Sequence, residues 1–186
     1  MADCRFPALR DHLLANAVRR GEFTLKSGKR SDWFLDAKQT TCRPAGMVLV
    51  ADALLATIPA DTTALGGLTV GADAAAYCSA AIAAERGRPL KIFTVRKEAK
   101  GHGMGGRLAG ALDPGDRVVI TEDAVTRGVS MLDAAEEVQR AGAEVVLLCP
   151  VVDRGGTGAA MAAERGLPFQ ALVTAPDLGF PYERDA

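Results

Sequence analysis

An α/β fold with a mainly parallel central sheet flanked by helices is what this sequence predicts, and three observations carry that reading. Short apolar, β-branched runs such as RVVIT at 117–121 alternate with longer segments of helical periodicity. Glycine and proline punctuate the joins between them, and strands separated by helices build βαβ units whose sheet is parallel and covered on both faces. At 186 residues and 48% hydrophobic, the chain is sized for one domain with a sizeable core, read here as residues 1–186.

The elements follow in order. Residues 7–20 place Leu9, Leu13, Leu14 and Val18 at helical spacing ahead of Gly21, which predicts a helix stopped by a C-terminal glycine. FTLKSGKRSDWFLDAKQTT, at 23–41, predicts two short strands around the turn Ser27-Gly28-Lys29. From Pro44 the alternation reads helix 45–58, strand 63–68, helix 73–86 and strand 91–95, then a glycine-rich gap. It resumes with strand 117–121, helix 129–141, strand 144–151 and strand 169–174. No internal repeat, low-complexity tract or interdomain linker interrupts it.

Charge is nearly balanced, 22 basic against 23 acidic residues, so no global field recruits nucleic acid or an anionic membrane. The four cysteines are far apart and show no metal-ligand spacing, which fits reduced thiols in a cytosolic chain. MADCRFPALRDHLL lacks the basic-then-apolar pattern of a secretory signal, and no apolar run approaches the ~20 residues of a membrane span. The expectation is a cytoplasmic protein that engages neither nucleic acid nor membrane.

The sharpest local signal is VVITEDAVTRGVS at 118–130, where an apolar strand runs into two adjacent acids, Glu122 and Asp123. Ligands of open α/β sheets sit beyond the carboxyl ends of the strands. Adjacent carboxylates suit a pair of sugar hydroxyls, and the loop that follows offers backbone N–H groups, the Thr126 and Ser130 hydroxyls and a helix N-terminus, all suited to a phosphate. Acids beside a phosphate cradle suggest a ribose phosphate.

The segment resembles the signature of the phosphoribosyltransferases: an apolar strand, two acids, two apolar residues and a loop rich in Thr, Ser and Gly. The resemblance implies the type I phosphoribosyltransferase fold with a small N-terminal hood, roughly residues 1–43. It also implies that Glu122 and Asp123 receive the ribose hydroxyls of phosphoribosyl pyrophosphate (PRPP). Ala124, Val125, Thr126, Arg127, Gly128, Val129 and Ser130 then wrap its 5-phosphate. Arg127 is bulkier than the Thr or Ala often found at that place.

TVRKEAKGHGMGGRLAG at 94–110 gathers Arg96, Lys97, Lys100, His102 and Arg107 around Gly101, Gly103, Gly105 and Gly106, with Glu98 opposing. Glycines lose more backbone entropy on ordering than other residues, so the loop is expected to be mobile when empty. Cations on a closing flap can neutralise a departing pyrophosphate and exclude water. The segment closely resembles the catalytic loop of the orotate phosphoribosyltransferases. LKSGKRSDWFLDAKQTT resembles that family's N-terminal segment, and VVDRGGTG its later strand ending in Asp-Arg. The likeness runs from about Leu25 to Gly156. It implies that Lys26 reaches the reaction centre, Phe34 packs on the orotate ring and Arg154 helps hold orotate. Taken singly, these read as a turn lysine, a core aromatic and a surface arginine.

After the first sheet strand some family members carry Tyr-Lys-Gly. Here GGLTVGADAAAY places Gly71, Ala72 and Asp73 there, resembling the family's Gly-Ala-Asp form and leaving one cationic contact out. Backbone N–H groups at the helix start can meet pyrophosphate there, and Asp73 reads equally as a helix N-cap.

The resemblance implies reversible transfer of phosphoribosyl from PRPP to orotate, giving orotidine 5-monophosphate and pyrophosphate, with Mg²⁺ chelated by substrate oxygens and not by a direct protein ligand set. It further implies a homodimer whose 96–108 loop serves the partner's site. Two alternatives stay open: a phosphoribosyltransferase for another nucleobase, and a PRPP-sensing, nucleic-acid-binding regulator on the same fold, against which the balanced charge argues.

Overall fold

The computed structural model describes residues 4–24, 28, 30–100 and 106–183, with the side chain of Lys100 excepted. Helix α1 (Pro7–Asn16) starts with proline in its first turn, where a missing N–H costs nothing. It is followed by strands β1 (Val18–Thr24) and β2 (Arg30–Leu35), which form an antiparallel two-stranded sheet of their own. The helix expected over 7–20 therefore ends early. Val18 is β-branched and pairs with Leu35, and cross-strand pairing outweighs the helical spacing of the leucines. A register shift between Arg20 and Phe23 marks a bulge beside Gly21.

Helices α2 (Lys38–Thr41) and α3 (Pro44–Leu55) lead into β3 (Ala64–Leu68), α4 (Asp73–Glu85), β4 (Lys91–Lys100) and β5 (Gly106–Gly110). Then come β6 (Arg117–Val125), α5 (Val129–Arg140), β7 (Glu144–Asp153), α6 (Gly158–Ala163) and β8 (Val173–Thr174). The main sheet has six strands in the order β5-β4-β3-β6-β7-β8. All neighbours are parallel except the edge strand β5, which runs antiparallel to β4. A mainly parallel sheet flanked by helices is thus what the chain builds.

Two strands run beyond their apolar runs because a neighbouring strand continues the pairing. β4 continues past Val95 to Lys100 and pairs antiparallel with β5 from Gly106, while residues 101–105 of the glycine-rich gap lie outside the described residues. β6 continues through the acids because Ala124 and Val125 pair with Val152 and Asp153. The last strand is shorter than expected, Val173–Thr174, with an isolated bridge from Leu148 to Phe169. The four-residue α2 and six-residue α6 carry too little periodicity to read in advance.

Alternation along the strands sends side chains to two cores. Leu65, Val119, Leu147 and Val151 pack beneath α1, α3 and α4; Ala64, Val118, Ile120 and Leu148 pack against Met131, Ala134 and Val138 of α5. With both faces covered, ligand access falls to the carboxyl ends of the strands. The chain reverses direction across the sheet between β3 and β6, since β3 passes to β4 on one side while β6 passes to β7 on the other. The Glu122–Asp123 pair lies near the carboxyl end of that β6.

Candidate active site

Every residue from Val118 to Asp123 is buried, so the apolar ladder carries Glu122 and Asp123 with it into the protein. Both carboxylates flank the turn after β3: a Cβ at Gly71 would lie 1.4 Å from Glu122 Oε1 and 2.9 Å from Asp123 Oδ1. Glycine is needed there because the backbone itself forms the wall against the acids. The carboxyl of Glu122 is pushed up to about 8, by burial first and then by the charge and hydrogen bonding of Asp123, while Ser130 and the Asp123 backbone pull the other way. At neutral pH the pair therefore holds a proton on Glu122 and a charge on Asp123.

That charge has a partner that sequence reading did not single out. Lys38, first residue of α2, places Nζ 2.5 Å from Asp123 Oδ2. Burial pulls the ammonium down, but the hydrogen bond to Asp123 and the charges of Asp123, Glu122 and Asp36 outweigh it and hold its pKa above the ordinary lysine value.

Downstream of the acids the loop is built from both sides. The Ala124 N–H donates to Asp123 Oδ1 at 3.0 Å, and Val125 is buried beneath. The Thr126 carbonyl accepts from Thr157 Oγ1 at 3.1 Å, and a Cβ on Gly155 would stand 1.9 Å from that carbonyl oxygen. Asp153 Oδ1 in turn accepts from the N–H groups of Gly155 and Gly156, at 3.1 and 2.8 Å, which shapes the supporting loop. Arg127 is exposed; Gly128, at φ 81°, is the residue that lets the chain turn into α5. Val129 and Ser130 then open that helix, their N–H groups preceding the first intrahelical bonds, which run from Met131 and Leu132 to the Gly128 carbonyl at 3.1 Å.

Asp73 is not the N-cap of α4, a position taken by Ala72. Its carboxylate instead accepts from Thr69 Oγ1 and Thr94 Oγ1, both at 2.7 Å, and so ties the turn after β3 to β4. On β4, Arg96 is half-buried and Lys97 exposed. Arg107, read among the cations of the flap, is engaged elsewhere. Its guanidinium forks onto Asp133 of α5 at 2.5 and 2.7 Å and donates to the Arg96 carbonyl at 2.7 Å. It anchors the base of the hairpin.

Arg154 leaves the end of β7 beside the loop, its N–H donating to the Val125 carbonyl at 2.8 Å. Its guanidinium lies 4.7 Å over the Trp33 ring, with Nε 2.6 Å from Glu183 Oε2, and Ser31 Oγ donates to the other Glu183 oxygen. Phe34 is 41% exposed and leans on Phe23 at 5.5 Å, so it is no core aromatic. Asp123, Glu122, the turn Gly71-Ala72-Asp73 and the 124–130 loop therefore meet at one place, with Arg154 adjoining. Lys26, His102 and the side chain of Lys100 lie outside the described residues.

For a divalent cation the donor set is sparse. Among the described residues no group of three or more His, Cys, Asp or Glu is placed to hold a metal ion. Of the two acids here, Glu122 is largely protonated at neutral pH and Asp123 is paired with Lys38. Among the described residues no helix is long and apolar enough to cross a membrane.

No family model matches the chain. An orotate phosphoribosyltransferase of Rhodopirellula baltica is 41% identical over 170 residues, covering 88% of each chain. The Mycobacterium tuberculosis H37Rv orotate phosphoribosyltransferase, solved with Fe(III) dicitrate, superposes with a TM-score of 0.80 at 35% identity, covering 93% of this chain and 98% of that one. The same enzyme solved with PRPP gives 0.77 at 32% identity over 93% and 98%. Identity at this level over most of each chain shows that the chain belongs to the orotate phosphoribosyltransferase family.

Proposed function

We propose that the chain is a single phosphoribosyltransferase domain, with residues 1–43 as its hood, that reversibly transfers phosphoribosyl from PRPP to orotate. The products are orotidine 5-monophosphate and pyrophosphate, in pyrimidine nucleotide synthesis in the cytoplasm. The observation that carries this is the buried Glu122–Asp123 pair, walled by Gly71 and continuous with the 124–130 loop at the N-terminus of α5. The spacing suits a sugar whose hydroxyls meet the acids and whose 5-phosphate meets the loop. The PRPP complex of the M. tuberculosis relative supports that choice of ligand.

Breaking the bond from the anomeric carbon to pyrophosphate builds positive charge on the ribose and negative charge on the leaving group, so catalysis here is electrostatic. Asp123 and Glu122 hold the ring that becomes cationic. Arg96, Lys97, Lys100 and His102 of the hairpin stabilise the leaving group, Lys26 approaches the reaction centre, and Phe34 with Arg154 receives orotate. Backbone at Gly71, Ala72 and Asp73 faces the pyrophosphate. Mg²⁺, carried on substrate oxygens, supplies further charge neutralisation when bound. No covalent nucleophile is required.

A homodimer in which the 96–108 loop serves the partner's site is part of this reading. Val48 on α3, Tyr77 on α4 and Val70 in the turn beside Gly71 are large apolar side chains left 47%, 56% and 66% exposed, and a second copy supplies the cover they lack. The test is turnover of purified protein with PRPP and Mg²⁺, offering orotate, uracil, adenine and hypoxanthine in parallel. Nucleotide formation from orotate alone is expected; transfer to another base instead would move the assignment to that base. No transfer at all, with PRPP-dependent binding of nucleic acid, would make the chain a regulator.

A further inference from the structure

The acid pair carries a cation, Lys38, to which the sequence reading gave no role. Lys38 comes from α2, beyond the hairpin, and its side chain is 46% exposed where that of Asp123 is 12% exposed, so it reaches the buried carboxylate from the open side of the site. Two arginines that the sequence offered to the site are held by acids of the frame, Arg107 by Asp133 and Glu137 and Arg154 by Glu183. The turn after β3 has no cation to give. Gly71 lacks a side chain, Ala72 is buried, and the Asp73 carboxylate is taken up by two threonine hydroxyls.

A ribose that donates its hydroxyls to Asp123 competes for the oxygen on which Lys38 rests. In PRPP the 2-hydroxyl neighbours the carbon that bears pyrophosphate, whereas the 5-phosphate is directed to the loop at 124–130. A lysine displaced from Asp123 by the sugar has four flexible methylenes and an adjacent anion to turn to. We propose that Lys38 is a PRPP-binding residue that neutralises Asp123 in the empty site and binds the pyrophosphate group when the sugar arrives. It thereby supplies the cation that the Gly71-Ala72-Asp73 turn does not.

The proposal rests on the PRPP reading above, and the experiment separates the two. Pyrophosphate with Mg²⁺, ribose 5-phosphate and PRPP are titrated calorimetrically into the wild type, Lys38→Met and Lys38→Arg, with thermal melting to establish that each is folded. Met keeps the apolar stem and removes the charge; Arg keeps the charge. Lys38→Met is expected to weaken pyrophosphate and PRPP at least tenfold, about 1.4 kcal/mol, while ribose 5-phosphate changes less than about twofold. Lys38→Arg is expected to retain most of the affinity, and KM for PRPP to rise in Lys38→Met with KM for orotate nearly unchanged. Equal weakening of pyrophosphate and ribose 5-phosphate, or unchanged pyrophosphate binding, would overturn the role of Lys38. Should Lys38→Met not fold, loss of pyrophosphate affinity by more than about tenfold in a folded Lys38→Gln variant stands in its place, and unchanged affinity there refutes it. A wild type that binds none of the three ligands refutes the PRPP reading itself.

Discussion

Replacing Glu122 by Gln should flatten the pH dependence of the protein's stability across the neutral range. The Glu122 carboxyl is pushed from an ordinary 4.5 to about 8 by its burial and by Asp123. Between those values the native state holds a proton that the unfolded chain has released, so stability falls as pH rises. The contribution is complete below the unfolded pKa and lost as pH climbs through the folded one. A full proton difference gives a slope of about 1.4 kcal/mol per pH unit, so from about pH 5.5 to 7.5 the wild type should lose on the order of 2–3 kcal/mol through this group. Gln keeps the neutral shape and does not titrate. Asp153, also raised by burial, is present in both proteins and cancels in the difference. Urea unfolding of both proteins at three pH values in that range measures it. Parallel stability curves would show that Glu122 is ionised in the folded protein and that the single-charge description of the pair is wrong.

The remaining predictions concern the frame around the pair. Gly71→Ala puts a methyl into the Glu122 carboxylate and should cost about 1–3 kcal/mol by overpacking, along with a loss of PRPP affinity; a wild-type melting temperature and titration would contradict the close approach. Asp123→Asn should leave the fold nearly intact yet weaken PRPP binding or turnover about tenfold or more, since charge-assisted hydrogen bonds are worth ~1.5–3 kcal/mol; unchanged kinetics in a folded variant would remove its role. Arg107→Ala should cost only about 1 kcal/mol of global stability, because the pair with Asp133 is partly solvated. Amide exchange in β4 and β5 should quicken, and unaltered exchange there would show that the fork onto α5 does not anchor the hairpin.

Much of this was legible in the residues because it is local. The apolar runs at 117–121 and 144–151, the helical spacing of α4 and α5 and the acid pair with its small-residue loop each declare themselves within a dozen positions. What escaped depends on partners far along the chain. Lys38 and Asp123 are separated by 85 positions, and Ser31 and Glu183 by 152, so nothing short of the fold selects those pairs from many charges. The same holds for Arg107, which sequence context groups with the flap and the fold assigns to α5. β1 was hidden because Val18 continues the leucine spacing of α1, and only its pairing with Leu35 decides between helix and strand. Asp73 looked like a cap because a carboxylate starts a helical run; the hydroxyls of Thr69 and Thr94 claim it instead.

The most direct measurement is a crystal structure of the protein with PRPP and Mg²⁺. The ribose hydroxyls should lie within hydrogen-bond distance of Glu122 and Asp123, and the 5-phosphate should sit on the backbone N–H groups of residues 124–130 at the start of α5. A ribose bound away from the acid pair, or a phosphate outside that loop, would contradict the site assignment at its root.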